Sequence, residues 1–292
     1  MRYKKELYIS LHKTLLMKNH HHYSLATMFL VCLIFTSCMK KKDNTFDSES
    51  ANSYATSDNF LKDINKVVND AAADGNINGK MEGLSGNTCA NVTLNPPDLT
   101  TFPKTVTVDF GSLGCTDQYG VFRQGKVTAV FTNYLHNPGA HVHVTLQNYA
   151  VNLNKIEGVY DLANTSTDTV TRTFRDTITN GKITRYTDNK FCTWNATRYS
   201  TQTGGLGTLI ISDDEYTGGG TSSGIGFNGK SFTSVATDVV WKLDCRYLVS
   251  GTVVIHSGTD PKPITVDFGN GTCDNQYNVA YDIYNVNLTF WY

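Results

Sequence analysis

The sequence predicts an all-β protein: an antiparallel meander forming a curved sheet, a sandwich or a half-open barrel, with one N-terminal helix and an internal duplication. Three observations lead there. From about Val92 onward, apolar and polar residues alternate with period two. Val106, Val108 and Phe110 alternate with Thr105, Thr107 and Asp109, and Val142, Val144 and Leu146 with His141, His143 and Thr145. Such alternation places each set on one face of a strand. Turn dipeptides punctuate the runs at Pro138-Gly139, Asn180-Gly181 and Asn228-Gly229. Finally, a 17-residue segment occurs twice, and only one stretch shows helical periodicity.

The chain has 292 residues, and its N-terminal part has a different character from the rest. Residues 25–35 form an apolar run preceded by basic residues and followed by small ones. The run is too short for a membrane-spanning helix, which needs about 20 residues, and has the layout of a secretory signal. It ends Phe35-Thr36-Ser37-Cys38, which resembles the lipobox of bacterial lipoproteins, although Phe35 stands where Leu is usual. The expectation is a signal peptide over 1–37, with Met17 as an alternative start, and lipidation of Cys38. His20, His21 and His22 then belong to the leader. Residues 38–56, with Lys40, Lys41 and Lys42 followed by Asp43, read as a flexible tether. A basic run beside a lipid anchor can rest on anionic headgroups. The implied location is the cell envelope, most simply the outer membrane, on its periplasmic face or the cell surface.

A helix is expected over 57–74. Ser57 would cap it, and Asp58 would favour its N-terminal dipole end. Phe60, Leu61, Ile64, Val67, Val68, Ala71 and Ala72 form one apolar stripe, and Gly75 ends it. One stripe implies docking on the open face of a sheet. The β-rich region completes the domain over 57–292.

The duplication is the most informative feature. Residues 103–119 read PKTVTVDFGSLGCTDQY and residues 261–277 read PKPITVDFGNGTCDNQY, with 10 of 17 positions identical and no gap. Cys115 and Cys273 hold the same place in the two copies, and each has a cysteine upstream at nearly matching distance, Cys89 and Cys245. A duplicated unit should repeat its bridge. The expected disulfides are therefore Cys89–Cys115 and Cys245–Cys273, with Cys192 free; export into an oxidising compartment would preserve them.

On the two VDFG-x3-C elements, Gly125-Lys126-Val127-Thr128, Asn148-Tyr149-Ala150-Val151-Asn152 and Cys245-Arg246-Tyr247-Leu248-Val249-Ser250-Gly251, residues 57–292 resemble a family of uncharacterised lipoproteins from Bacteroidota. The resemblance implies a lipid-anchored, β-rich envelope protein and no assigned activity.

Motifs for chemistry are sparse. Gly220-Thr221-Ser222-Ser223-Gly224 matches G-x-S-x-G, and Gly224-Ile225-Gly226-Phe227-Asn228-Gly229 matches G-x-G-x-x-G. Neither has the helix that would expose a nucleophile or hold a phosphate, so both read as one flexible Gly/Ser loop. Asp168-Thr169-Val170 and Asp176-Thr177-Ile178 resemble an O-glycosylation acceptor motif of Bacteroidota; the plainer reading is strand threonines facing solvent. His136, His141 and His143 are the one candidate metal cluster: His141 and His143 share a strand face, and a hairpin loop over 137–140 would set His136 opposite His141. The alternative is three solvated histidines near a hairpin tip. No cofactor is implied. With formal net charge −1, nothing favours nucleic acid as a partner.

The expected function is a lipid-anchored β-sheet module that binds a glycan, a lipid or an envelope protein without catalysis. A carrier of a hydrophobic ligand, with the curved sheet holding an acyl chain under the 57–74 helix, is the second reading. A metal-dependent hydrolase built on the histidine hairpin is the third.

Overall fold

The alternating pattern is realised as a single antiparallel sheet. The computed structural model describes residues 48–74, 89–98, 100–168, 170–208, 210 and 212–289. Cys38, the leader and the first part of the tether lie outside them. Helix α1 (Ser48–Asp74) comes first. Fourteen strands follow among the described residues: β1 (Asn91–Asn95), β2 (Lys104–Asp109), β3 (Cys115–Thr116), β4 (Phe122–Phe131), β5 (His141–Val151), β6 (Asn154–Asn164), β7 (Thr173–Thr184), β8 (Phe191–Gly204), β9 (Glu215–Ile225), β10 (Ser231–Lys242), β11 (Leu248–Ser257), β12 (Ile264–Asn270), β13 (Gln276–Tyr281) and β14 (Tyr284–Thr289). Each pairs with its chain neighbour, except that β2 pairs β4 directly and β3 is a short addition to β4. The path ends at β1 and β14, so the sheet is not closed into a barrel.

The sheet bends because its strands are kinked in register. Gly125 of β4 lies against Asn148 of β5, whose φ is 49°, and a Cβ at 125 would stand 2.2 Å from the Asn148 carbonyl oxygen. Gly251 of β11 meets Asp238 of β10 in the same way, at φ 49° and 2.4 Å. The ladder shifts register at both places. Bulges of this kind bend a strand and sharpen its twist. Asn180-Gly181 belongs to the same set. The sequence read it as a turn, but it lies inside β7, where Asn180 has φ 54° and the β7–β8 ladder breaks between Ile178 and Gly181. A left-handed Asn followed by Gly serves a hairpin turn and a bulge equally well, so the dipeptide alone does not separate them.

Helix α1 occupies the inside of this bend. It touches β2 and β4 from one end of the sheet and β11 and β12 from the other. Its apolar stripe packs as expected, with Phe60, Val68 and Ala72 buried beside Val106, Val127, Ile255 and Val266. The helix differs from the expectation in two respects. It starts at Ser48, nine residues earlier, so residues 48–56 are not tether; Ser57 is interior and donates to the Tyr54 carbonyl at 2.8 Å rather than capping. It is also buried well beyond the stripe, including Ser50, Ser53, Thr56, Asp58, Asn59, Lys62 and Asp63. Polar partners on the sheet explain the first half, where Ser, Asn and Thr lower helix propensity. Ser50 Oγ lies 2.7 Å from Ser257 Oγ, and Ser53 Oγ accepts from the Phe227 N–H at 2.9 Å. No helix among the described residues is long and apolar enough to cross a membrane.

The two repeat copies form β2 and β12, near opposite ends of the sheet. Their local structure matches: Asp109 accepts from the Gly111 N–H and Asp267 from the Gly269 N–H, each at 2.9 Å, and Phe110 and Phe268 are both buried. Both disulfides are present, Cys89–Cys115 with Cα atoms 5.8 Å apart and Cys245–Cys273 with 5.7 Å. Cys192 is free and buried, and burial pushes its thiol up to about 12, which makes it inert. Replacing both Cys245 and Cys273 by Ser is expected to cost about 3.5 kcal/mol, the chain-entropy value for such a loop. Urea unfolding measures it; a loss under 1 kcal/mol would show that the staple is idle.

Candidate functional site

Four charged residues of α1, Asp58, Lys62, Asp63 and Lys66, occur at spacings that put them on neighbouring turns facing the sheet. Two of them make buried ion pairs with strand arginines. The Arg123 guanidinium on β4 grips the Asp63 carboxylate with both Nε, at 3.2 Å, and Nη2, and reaches Asp117 through Nη1 at 2.7 Å. The Tyr149 hydroxyl donates to Asp63 at 2.8 Å. Burial pushes the Asp63 carboxyl up, but Arg123 and Tyr149 outweigh it and hold the group below the usual carboxylate range. Further along the helix, Arg198 of β8 pairs with Asp58 through Nη2, its guanidinium 5.3 Å above the Tyr54 ring.

Lys62 stands between these pairs and belongs to neither. The residue is 6% exposed, and its ammonium donates to the Tyr247 carbonyl. Burial lowers its pKa to about 7, Lys66 adds to the fall, and Asp244 opposes it only in part. A buried lysine that its neighbouring carboxylate compensates only in part, placed in a cleft, is a physically grounded marker of a functional site.

Lys62 lines two cavities. The larger, about 200 Å³, opens among Lys66, Arg123, Arg246, Asp117 and Asp244, with Tyr119 at its rim. The smaller, about 50 Å³, lies beneath β9, among Asp58, Asn65, Asp176, Arg198 and Trp241. Tyr216 stacks on Trp241 with centroids 5.7 Å apart. Asp176 accepts from the Tyr160 hydroxyl, and burial pushes its pKa up to about 6. This aspartate, part of one apparent glycosylation motif, thus faces inward.

The roof of the smaller cavity corrects the reading of the glycine-rich stretch as a loop. Gly220–Gly224 lies within β9, and only residues 226–229 form a turn. Gly218 and Gly219 line the cavity. A Cβ at Gly218 would stand 2.2 Å from the Tyr199 carbonyl oxygen, and one at Gly224 would stand 1.8 Å from that of Thr193. The glycines let β9 press against β8, a role that local sequence does not distinguish from flexibility.

No family model, curated protein or solved structure matches this chain. The geometry alone therefore weighs the remaining candidates. The three histidines do not converge. His143 Nδ1 lies 2.7 Å from Asp161 Oδ1 and His141 Nε2 lies 3.5 Å from the same atom, whereas His136 stacks on Tyr134 at 5.6 Å. The residue beside His141 is Thr132, just past the end of β4 and bonded to it through the backbone, because the connection from β4 to β5 is longer than a tight hairpin at residue 136 would be. Among the described residues no group of three or more His, Cys, Asp or Glu could hold a metal ion. Under the helix, an apolar gap between Ile64, Leu146 and Ile156 measures about 20 Å³, no more than the room of a single water, about 30 Å³ in the liquid. The helix itself fills the concave face on which an acyl chain would lie.

Proposed function

We propose that the protein is a lipid-anchored, non-catalytic binding module of the cell envelope, held on the outer membrane through Cys38, which takes a small polar ligand of sugar size into the cleft between α1 and the sheet. Lys62 is the observation that carries this reading: a buried cation in no ion pair among the described residues, opposed only in part by Asp244, lining a cavity of about 200 Å³. In the smaller cavity of about 50 Å³, which Lys62 also lines, Trp241, stacked on Tyr216, adds an aromatic surface, and Asn65, Asp58 and Asp176 add hydrogen-bonding groups, the mixture that polar ligand sites use. The anchor rests on the apolar run that ends at Cys38.

One protein tests both parts. Cys38→Ala is expected to leave the membrane fraction and to lose lipid labelling. The released protein is expected to show a saturable change in tryptophan fluorescence with at least one member of a panel of neutral and acidic monosaccharides and disaccharides, and Trp241→Phe should remove that change. Lipid labelling of Cys38→Ala would contradict the anchor. A panel without any response would contradict the ligand class.

A further inference from the structure

Within the proposed binding cleft, on which this inference rests, we infer that the smaller compartment is a receptor for a carboxylate group, with Arg198 and Lys62 as its two charged donors. Arg198 is 7% exposed. Its Nη2 is taken by Asp58 and the Tyr54 hydroxyl interacts with the guanidinium, but its Nη1, which is also buried, has no partner within ordinary hydrogen-bond geometry. A guanidinium carries five N–H donors, and a buried one left unmatched calls for an acceptor. Arg198 and Lys62 line the same space of about 50 Å³, one from the sheet and one from the helix. Two cationic donors lining one cavity suit an acceptor with two oxygens, which charge-assisted bonds would hold.

The balance of charge selects a monoanion. At pH 5.5, where Asp176 is largely protonated, Arg198 and Asp58 offset each other and Lys62 leaves one positive charge. One carboxylate is compensated by that charge, whereas a doubly charged anion would leave a net negative charge in the cavity. Trp241 stands at the same wall and offers an apolar face to the rest of the molecule. The ligand class is therefore a small carboxylic acid, for which a uronic acid is a convenient probe of sugar size.

Several titratable groups face this space or lie next to it. The helix contributes Tyr54, Asp58, Lys62 and Lys66; the sheet contributes Tyr160, Asp176, Arg198 and Tyr216; the segment before β11 contributes Asp244. Raising the pH from 5.5 to 8.5 removes the proton of Lys62 and charges Asp176. Both changes act against an anion, so affinity falls with rising pH.

The test is calorimetric titration of the Cys38→Ala protein with glucuronate, glucose, acetate and inorganic phosphate at pH 5.5 and 8.5. Glucuronate is expected to bind at least tenfold more tightly than glucose at pH 5.5, and at least tenfold more tightly at pH 5.5 than at pH 8.5. Lys62→Met, which removes an uncompensated charge and keeps the fold, should lower glucuronate affinity at least tenfold. Equal binding of glucose and glucuronate would overturn the receptor and leave the sugar-sized cleft standing. Acetate binding that Lys62→Met abolishes, without binding of either sugar, would support the receptor and overturn the sugar-sized cleft. Tighter binding of phosphate than of acetate, or no binding by any of the four, would overturn the receptor.

Discussion

Replacing Arg123 by Leu is expected to destabilise the unlipidated protein by about 3–5 kcal/mol at pH 7, the usual cost of removing one partner from a buried ion pair. Arg123 meets Asp63 and Asp117 together, and Asp63 is buried. Without Arg123 the Asp63 carboxylate keeps the Tyr149 hydroxyl and the weaker influence of Arg246. The pH dependence gives the direction. In the wild type the Asp63 pKa is depressed, so its contribution is present above the unfolded value of about 4 and is lost as pH falls through the folded value. In the variant burial acts without Arg123 and raises the folded pKa above the unfolded one. The penalty is then largest at neutral pH and shrinks on acidification. Urea unfolding at pH 7 and pH 4.5 should show this reversal, and Asp63→Asn in the Arg123→Leu background should restore part of the loss. An unchanged penalty at the two pH values would mean that Asp63 is not the group left stranded.

Lys62→Met should act in the opposite sense and stabilise the fold by about 4 kcal/mol at pH 6. A pKa lowered from 10.5 to about 7 corresponds to about 5 kcal/mol of preference against the charged form, and the lost bond to the Tyr247 carbonyl takes back about 1 kcal/mol. The unfavourable contribution of Lys62 is full below pH 7 and disappears as pH rises toward the unfolded value near 10.5. The gain in the variant should therefore fall by about 3 kcal/mol between pH 6 and pH 9.5. A residue that weakens the fold while lining a cleft is the usual trade between stability and function. A variant less stable than the wild type at pH 6 would show that the Lys62 charge is compensated in the folded protein.

The legible parts of this molecule are those written in local pattern. Strand alternation gave the sheet, because one face of nearly every strand is buried against α1 or the core. The spacing of Cys89, Cys115, Cys245 and Cys273 about the repeat matched the two bridges of the structure, since each copy folds around its own VDFG element. Residues 48–56 were not legible as helix: their polar side chains are held by Ser257 and the Phe227 N–H, partners about 170 to 210 residues away. The cleft was not legible either. Asp58 meets Arg198 across 140 positions and Asp63 meets Arg123 across 60. On a helix with one apolar stripe, charged residues beside the stripe ordinarily face water. The one local hint was the density of charge on that helix, with Asp58, Lys62, Asp63 and Lys66 inside three turns.

The central claim is that Lys62 is a buried cation waiting for an anion. Its side-chain amine can be followed directly by NMR titration of the Lys62 Cε and Nζ signals in the Cys38→Ala protein, assigned by comparison with Lys62→Met. In buffer the amine should titrate near pH 7. With saturating glucuronate its midpoint should rise by at least one unit, because the bound carboxylate favours the ammonium. A midpoint near 10 without ligand, or one near 7 that glucuronate leaves in place, would contradict the claim.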